Sequence, residues 1–344
     1  MRIKLGIVDE DVIYLQKLVS TFGKYYSDKL EIYSYSDVEY AIDKISKQRH
    51  DVVLVDSKIT SFDVKNCCIA YMVDTSDIDQ INGTKAICKF QKTEMIYKDI
   101  LNLYAEHSAL ATKKKKVSQD AEIISFASPI SGVGNSSVAV AFAINCALNN
   151  KSAFYLNLET LPSTSVFMKN DSKYTMSDVI YAVKSKKNNL SMKLESFVST
   201  DSVGFDYYAD AENTMDLHEL NEEDIETLIK ELKIMGLYDY IIVDCNFEVS
   251  NKMKKILSMT DKFVCVTNLD EKSEIKMSKA RDLLNIYMGE GFFEKSYVIV
   301  NNCTVCYDDA TQYNVIANME HMETYTARQM AEYMANNQTL TNLY

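Results

Sequence analysis

Two glycines separated by one residue, Gly132 and Gly134, stand in the run Ser128-Pro-Ile-Ser-Gly-Val-Gly-Asn-Ser-Ser137. The run follows an apolar stretch, 123–127, and opens an alanine-rich helical pattern. A strand, a glycine loop and a helix in that order are what a phosphate site needs. Glycines let backbone N–H groups face an anion, and the helix N-terminus adds its positive dipole. The residues so placed are Ser131, Gly132, Val133, Gly134, Asn135, Ser136 and Ser137, with Ser136 positioned to ligate Mg²⁺. A second constellation lies nearer the start. Asp9 and Glu10 follow the first apolar run, Asp56 follows the third, Thr75 follows the fourth and Lys89 lies at the end of the fifth. Carboxylates that converge at one sheet edge repel one another unless a divalent cation or a lysine offsets them.

The elements that must position these residues are legible as alternating apolar runs and helical periodicities. Strands are expected at Ile3–Val8, Leu30–Tyr35, 51–55, Cys68–Val73 and 86–90, with helices over 12–25 and 38–47 between the first three. Strand and helix in alternation imply a parallel sheet, whose functional groups collect at the carboxyl ends of its strands. The pattern repeats on a larger scale beyond residue 121. Strands are expected at 123–127, 153–158, 240–243, 263–267 and 297–300, and helices at 135–148, 176–186, 222–235 and 274–287. Continuous apolar runs of this kind suit strands buried on both faces. The division expected is a domain over 1–112, a linker over 113–121 carrying Lys113–Lys116, and a larger domain over 122–344.

Composition narrows the function. The chain has 344 residues, 47% of them hydrophobic and 25% charged, which fits globular domains rather than disordered or disulfide-framework classes. Its net charge is −12, and residues 117–344 hold 19 Lys and Arg against 32 acids. A surface so acidic repels a phosphate backbone, and nucleic acid is not an expected partner. No run approaches the roughly 18 apolar residues of a membrane span, and the tail at 327–337 holds one basic residue, Arg328. Direct membrane insertion is not expected, and the protein reads as cytoplasmic.

Residues 1–112 resemble a response-regulator receiver domain, a flavodoxin-like α/β fold. The resemblance implies that Asp9 and Glu10 hold Mg²⁺, that Asp56 accepts phosphate, and that Thr75 and Lys89 complete the switch. The spacing departs from that family. Nineteen residues separate Asp56 from Thr75 and 14 separate Thr75 from Lys89, too few for its third and fourth helices, and Phe90 takes the place of the usual proline. The loop at 130–137 resembles the deviant phosphate loop of the MinD and ParA ATPases, a P-loop NTPase α/β fold. Ile130 and Asn135 stand where that family has lysines. The resemblance implies Asp244 as the acid behind Mg²⁺, Asn301 as the adenine reader, and Asn157 and Glu159 in place of a paired aspartate, Glu159 being the candidate for orienting a water. Removing a cation of this kind typically costs on the order of 10²-fold in rate. A receiver-like domain joined to a lysine-poor MinD-like domain resembles the TadZ and CpaE proteins of tight-adherence (Flp, type IVc) pilus systems. That resemblance implies a homodimer around ATP and Mg²⁺ that positions the pilus secretion machinery, brought to a cell pole through partners, with weak or no hydrolysis. An active ParA-like ATPase and a phospho-switch acting through Asp56 are the competing readings.

Overall fold

The computed structural model describes residues 2–48, 50–59, 62, 64, 67–107, 121–169, 172–185, 189–303, 313–320 and 326–344. Lys113–Lys116 and all of the 113–121 linker but Ala121 lie outside them. The chain forms two compact units. One comprises Met1–Lys113 with Lys187–Ser196, the other Lys114–Lys186 with Phe197–Tyr344.

The first unit runs β1 (Ile3–Val8), α1 (Val12–Tyr25), β2 (Leu30–Tyr35), α2 (Val38–Lys47), β3 (Val52–Asp56), β4 (Cys68–Val73), β5 (Gln80–Ile81), β6 (Thr84–Cys88) and α3 (Thr93–His107). Its sheet has the order β2-β1-β3-β4-β6-β5. All pairings are parallel except the β5–β6 hairpin. Asp11 and Asp37 start the two first helices because their carboxylates accept from backbone N–H groups of the first turn. No helix lies between β3 and β4 or between β4 and β6 among the described residues. In the second gap the chain turns at Asn82 and Gly83, with φ of +50° and +77°, and forms the hairpin. Two positive φ values suit a tight two-residue turn, which Asn-Gly favours. The hairpin pulls the strand expected at 86–90 back to Thr84–Cys88. Leu5, Ile7, Phe22, Leu54 and Met72 fill the core on one face of the sheet.

The second unit continues with β7 (Glu122–Ala127), α4 (Asn135–Leu148), β8 (Ala153–Asn157), α5 (Thr164–Phe167) and α6 (Met176–Lys184). Helix α7 (Leu190–Phe197) lies almost wholly in the segment assigned to the first unit. Then follow β9 (Ser199–Thr200), β10 (Asp206–Tyr207), α8 (Met215–Glu219), α9 (Glu222–Met235), β11 (Tyr240–Asp244), α10 (Asn251–Met259) and β12 (Lys262–Thr267). Next come α11 (Glu271–Met288), β13 (Tyr297–Cys303), β14 (Val315–Glu320) and α12 (Ala327–Ala335), followed by a short 3-10 turn at Gln338–Leu343. The sheet order is β14-β13-β12-β7-β11-β8-β10-β9, parallel but for β9 against β10. Helix α4 is buried from Val138 to Cys146. Its alanines let it lie close against the sheet, so the loop at its N-terminus is held between β7 and a packed helix. Helix α12 buries Ala331, Met334 and Ala335 in the same core, and Arg328 forks onto Asp201 at 2.8 and 2.9 Å. Tyr333 on the same helix stays 50% exposed. No described helix is long and apolar enough to cross a membrane.

Candidate functional site

In the first unit, Asp9 leaves the end of β1, Asp56 ends β3 and Lys89 follows β6, so the common carboxyl edge of the parallel strands brings the three together. Lys89 Nζ stands 2.7 Å from Asp9 Oδ2 and 2.9 Å from Asp56 Oδ2, with all three side chains buried. The other oxygens are also tied down. Asp9 Oδ1 accepts from the Asp11 amide at 2.9 Å, and Asp56 Oδ1 from the Lys58 amide at 3.1 Å. Burial alone would raise Asp56, yet the Lys89 ammonium and the Lys58 amide hold it below the ordinary carboxylate value. Burial likewise works against the Lys89 charge, and the two aspartates overcome it and raise that lysine. Glu10 and Thr75 are not part of this group. Both are exposed, and the ammonium rather than a third carboxylate completes the cluster. Phe90 is 71% exposed and meets Tyr14 edge-on, with ring centroids 6.0 Å apart.

In the second unit the loop between β7 and α4 carries Gly132 at φ +74° and Gly134 at φ +87°. Gly134 is the N-cap of α4 and has no side chain with which to cap it. The first-turn N–H groups of the helix are therefore left for another acceptor. Ser128 fixes the base of the loop, donating to Val266 O at 2.6 Å and accepting from the Ile130 amide at 3.0 Å. Asn301, in the second half of β13, donates to Val133 O at 2.7 Å. A Cβ on Gly134 would come within 2.5 Å of the Asn301 amide nitrogen, so the left-handed conformation and this close approach both require glycine. Asn301 is 2% exposed and lies on the loop itself.

Behind the loop, Asp244 is fully buried at the end of β11. Asn135 Nδ2, from the first turn of α4, donates to Asp244 Oδ1 at 2.8 Å, and the Tyr155 hydroxyl donates to Oδ2 at 2.7 Å. Tyr155 itself receives a longer bond from Asn157 Nδ2 at 3.4 Å. Burial pushes the Asp244 carboxyl up to about 7, the Glu159 charge adds to the rise, and hydrogen bonds from Tyr155, Ser136 and Asn135 restrain it. The Ser136 hydroxyl, half-buried at the mouth of the loop, donates to Glu159 Oε2 at 3.3 Å. Burial raises Glu159 as well, against the pull of bonds from Ser136 and Asn157. Gly132, Val133, Gly134, Asn135, Ser136, Asp244, Glu159 and Asn301 thus meet in one place, and exposed Ser131 borders it. The sequence reading missed Tyr155. A tyrosine inside an apolar strand looks like core, and only its register beside β11 gives it a role.

Comparison with known proteins bears on both units. Residues 1–105 match the family model described as "TadZ-like, receiver domain". Among solved structures, a ParA family ATPase from Chlorobium tepidum TLS is similar at a TM-score of 0.51 and 18% identity, covering 65% of this chain and 93% of that one. The MinC:MinD cell division protein complex of Aquifex aeolicus is similar at a TM-score of 0.50 and 17% identity, covering 65% of this chain and 95% of the other. No curated protein matches the sequence. At these identities the structural likeness establishes the fold of the larger unit.

Proposed function

We propose that this chain, a TadZ-like receiver domain followed by a domain with the ParA and MinD fold, is a nucleotide-binding scaffold that binds ATP with weak or no turnover. The observation that carries the reading is the loop at 130–137. It keeps its glycines in the left-handed conformation and its helix N-terminus uncapped, while the lysine positions hold Ile130 and Asn135. Backbone N–H groups suffice to grip phosphate oxygens. A site without ammonium groups lacks the charge that would stabilise a transferring phosphoryl group. The donors at the loop suit a hard cation: the half-buried Ser136 hydroxyl is placed to ligate Mg²⁺, and the Asp244 carboxylate behind it to hold a metal-bound water. Mg²⁺ bound there would neutralise part of the triphosphate charge. Ser136 would have to exchange its bond to Glu159 for the metal, and Glu159 would then be left to orient a water.

The larger role follows the TadZ and CpaE likeness. A nucleotide-loaded homodimer marks the assembly site of the tight-adherence pilus secretion machinery, in the cytoplasm and at a pole through its partners. The receiver-like unit serves as a docking module, supported by the buried Lys89, which already occupies both aspartates, and by the hairpin where a mobile helix would stand. Titration calorimetry with ATP and Mg²⁺ together with a phosphate-release assay tests the reading. Binding without measurable release is the expected outcome. Brisk release would make the protein an ATPase, and absence of binding would remove the nucleotide from its function.

A further inference from the structure

We infer that Tyr155 is a positioning residue of the phosphate loop, acting through Asp244 and Asn135. The loop's own lysine positions hold no cation, so something else must keep Asp244 and the loop in fixed relation. Strand register supplies it. Tyr155 on β8 lies opposite Ile242 on β11, and Asn157 lies opposite Asp244. Alternate residues of a strand share a face, so Tyr155, Asn157 and Asp244 project to one side of the sheet, the side on which α4 packs. The tyrosine is 1% exposed. It donates to Asp244 Oδ2, which leaves Oδ1 turned to Asn135 Nδ2. Asn135 Nδ2 also approaches Phe126 O at 3.3 Å, so a single amide ties the first residue of α4 to both β7 and β11. Hydrogen bonds therefore converge on Asp244, from Asn157 through the Tyr155 hydroxyl on one side and from Asn135 at the end of the loop on the other.

A phenylalanine at 155 would fill the same space and leave Asp244 Oδ2 buried without that donor. The carboxyl would then rotate toward whatever donor remains, and Asn135 would lose a fixed acceptor. The loop would still be made, but it would no longer be held ready. The inference deepens the nucleotide reading by naming what organises the site, and it can be tested without nucleotide.

Hydrogen exchange on the nucleotide-free full chain is the direct experiment, followed at the amides of 128–137. Tyr155→Phe and Asn135→Ala should each speed exchange in that segment by about tenfold, and the double variant should exchange no faster than the faster single one. Phe154→Leu, equally buried on the other side of β8, serves as the packing control and should leave the loop rate unchanged. Unchanged loop exchange in Tyr155→Phe, or additive effects in the double variant, would overturn the inference. If Tyr155→Phe loosens the whole domain, segment 297–303 will exchange faster too, and Asn135→Ala with wild type then decides. With ATP added, Tyr155→Phe should bind about tenfold more weakly. Wild-type protein that fails to bind ATP while the loop rates remain coupled removes the nucleotide reading and leaves the positioning role in place.

Discussion

Asp56 and Asp244 occupy equivalent places in two parallel sheets, each at the carboxyl end of an interior strand and each shielded from solvent. Their electrostatics are opposite. Lys89 reaches Asp56 at 2.9 Å, and the carboxyl is held below its ordinary value. Asp244 has neutral donors, Asn135, Tyr155 and Ser136, among the described residues, and burial carries it up to about 7. One ammonium decides the difference. A buried carboxylate with a cation remains a charge, whereas one surrounded by amides and hydroxyls sits near the balance point between acid and anion.

The sharpest way to break this contrast is to remove the cation. Lys89→Met leaves Asp9 and Asp56 buried and facing each other, and should destabilise the receiver-like unit by about 3–5 kcal/mol in urea unfolding at neutral pH. Retention of wild-type stability would mean that the lysine is not what holds the pair.

A second test uses pH. Asp244 has a folded value raised above the ordinary 3.8 to about 7, so its contribution to stability is full below about pH 4 and is lost as pH rises through 7. Asp56 runs the other way, contributing above its ordinary value and losing that contribution as acid drives the pH through its lower folded value. Between about pH 4 and 7 the wild-type larger domain should therefore lose stability, at up to about 1.4 kcal/mol per pH unit, and Asp244→Asn should flatten that slope. A slope unaffected by the substitution would assign the effect to Glu159 instead.

The smallest effect sharpens the comparison through two tyrosines. The Tyr14 hydroxyl donates to Lys89 O at 3.2 Å, a neutral bond beside a site already satisfied by charge. Tyr14→Phe should cost about 0.5–1.5 kcal/mol, and Tyr155→Phe, which strips a donor from a buried carboxyl, about 1.5–3 kcal/mol. Equal losses in thermal or urea melts would count against the contrast.

The sequence made the frame of both sheets readable because interior parallel strands are continuous apolar runs. Ile3–Val8, Leu30–Tyr35 and Cys68–Val73 form where expected, as do the helices at Asn135–Leu148 and Glu222–Met235. The two-residue strands β9 and β10 carry no periodicity and escaped notice, as did β14, which pairs with β13 across an irregular register. The site was legible wherever its residues follow strand ends in order. It was not legible where a role depends on a neighbour distant in the chain. Tyr155 and Asp244 are 89 residues apart, and Asn301 reaches Val133 across 168. Glu10 follows Asp9 in sequence, yet its side chain is exposed because successive residues leaving a strand point to different sides.

The hairpin at Asn82 and Gly83 has a consequence for crowding. It finishes the receiver-like sheet with Gln80–Ile81, a stub of two residues next to Lys85, in place of a long flat border. A stray chain finds little there onto which it can zip, so copies gathered at high density would not fuse along that margin.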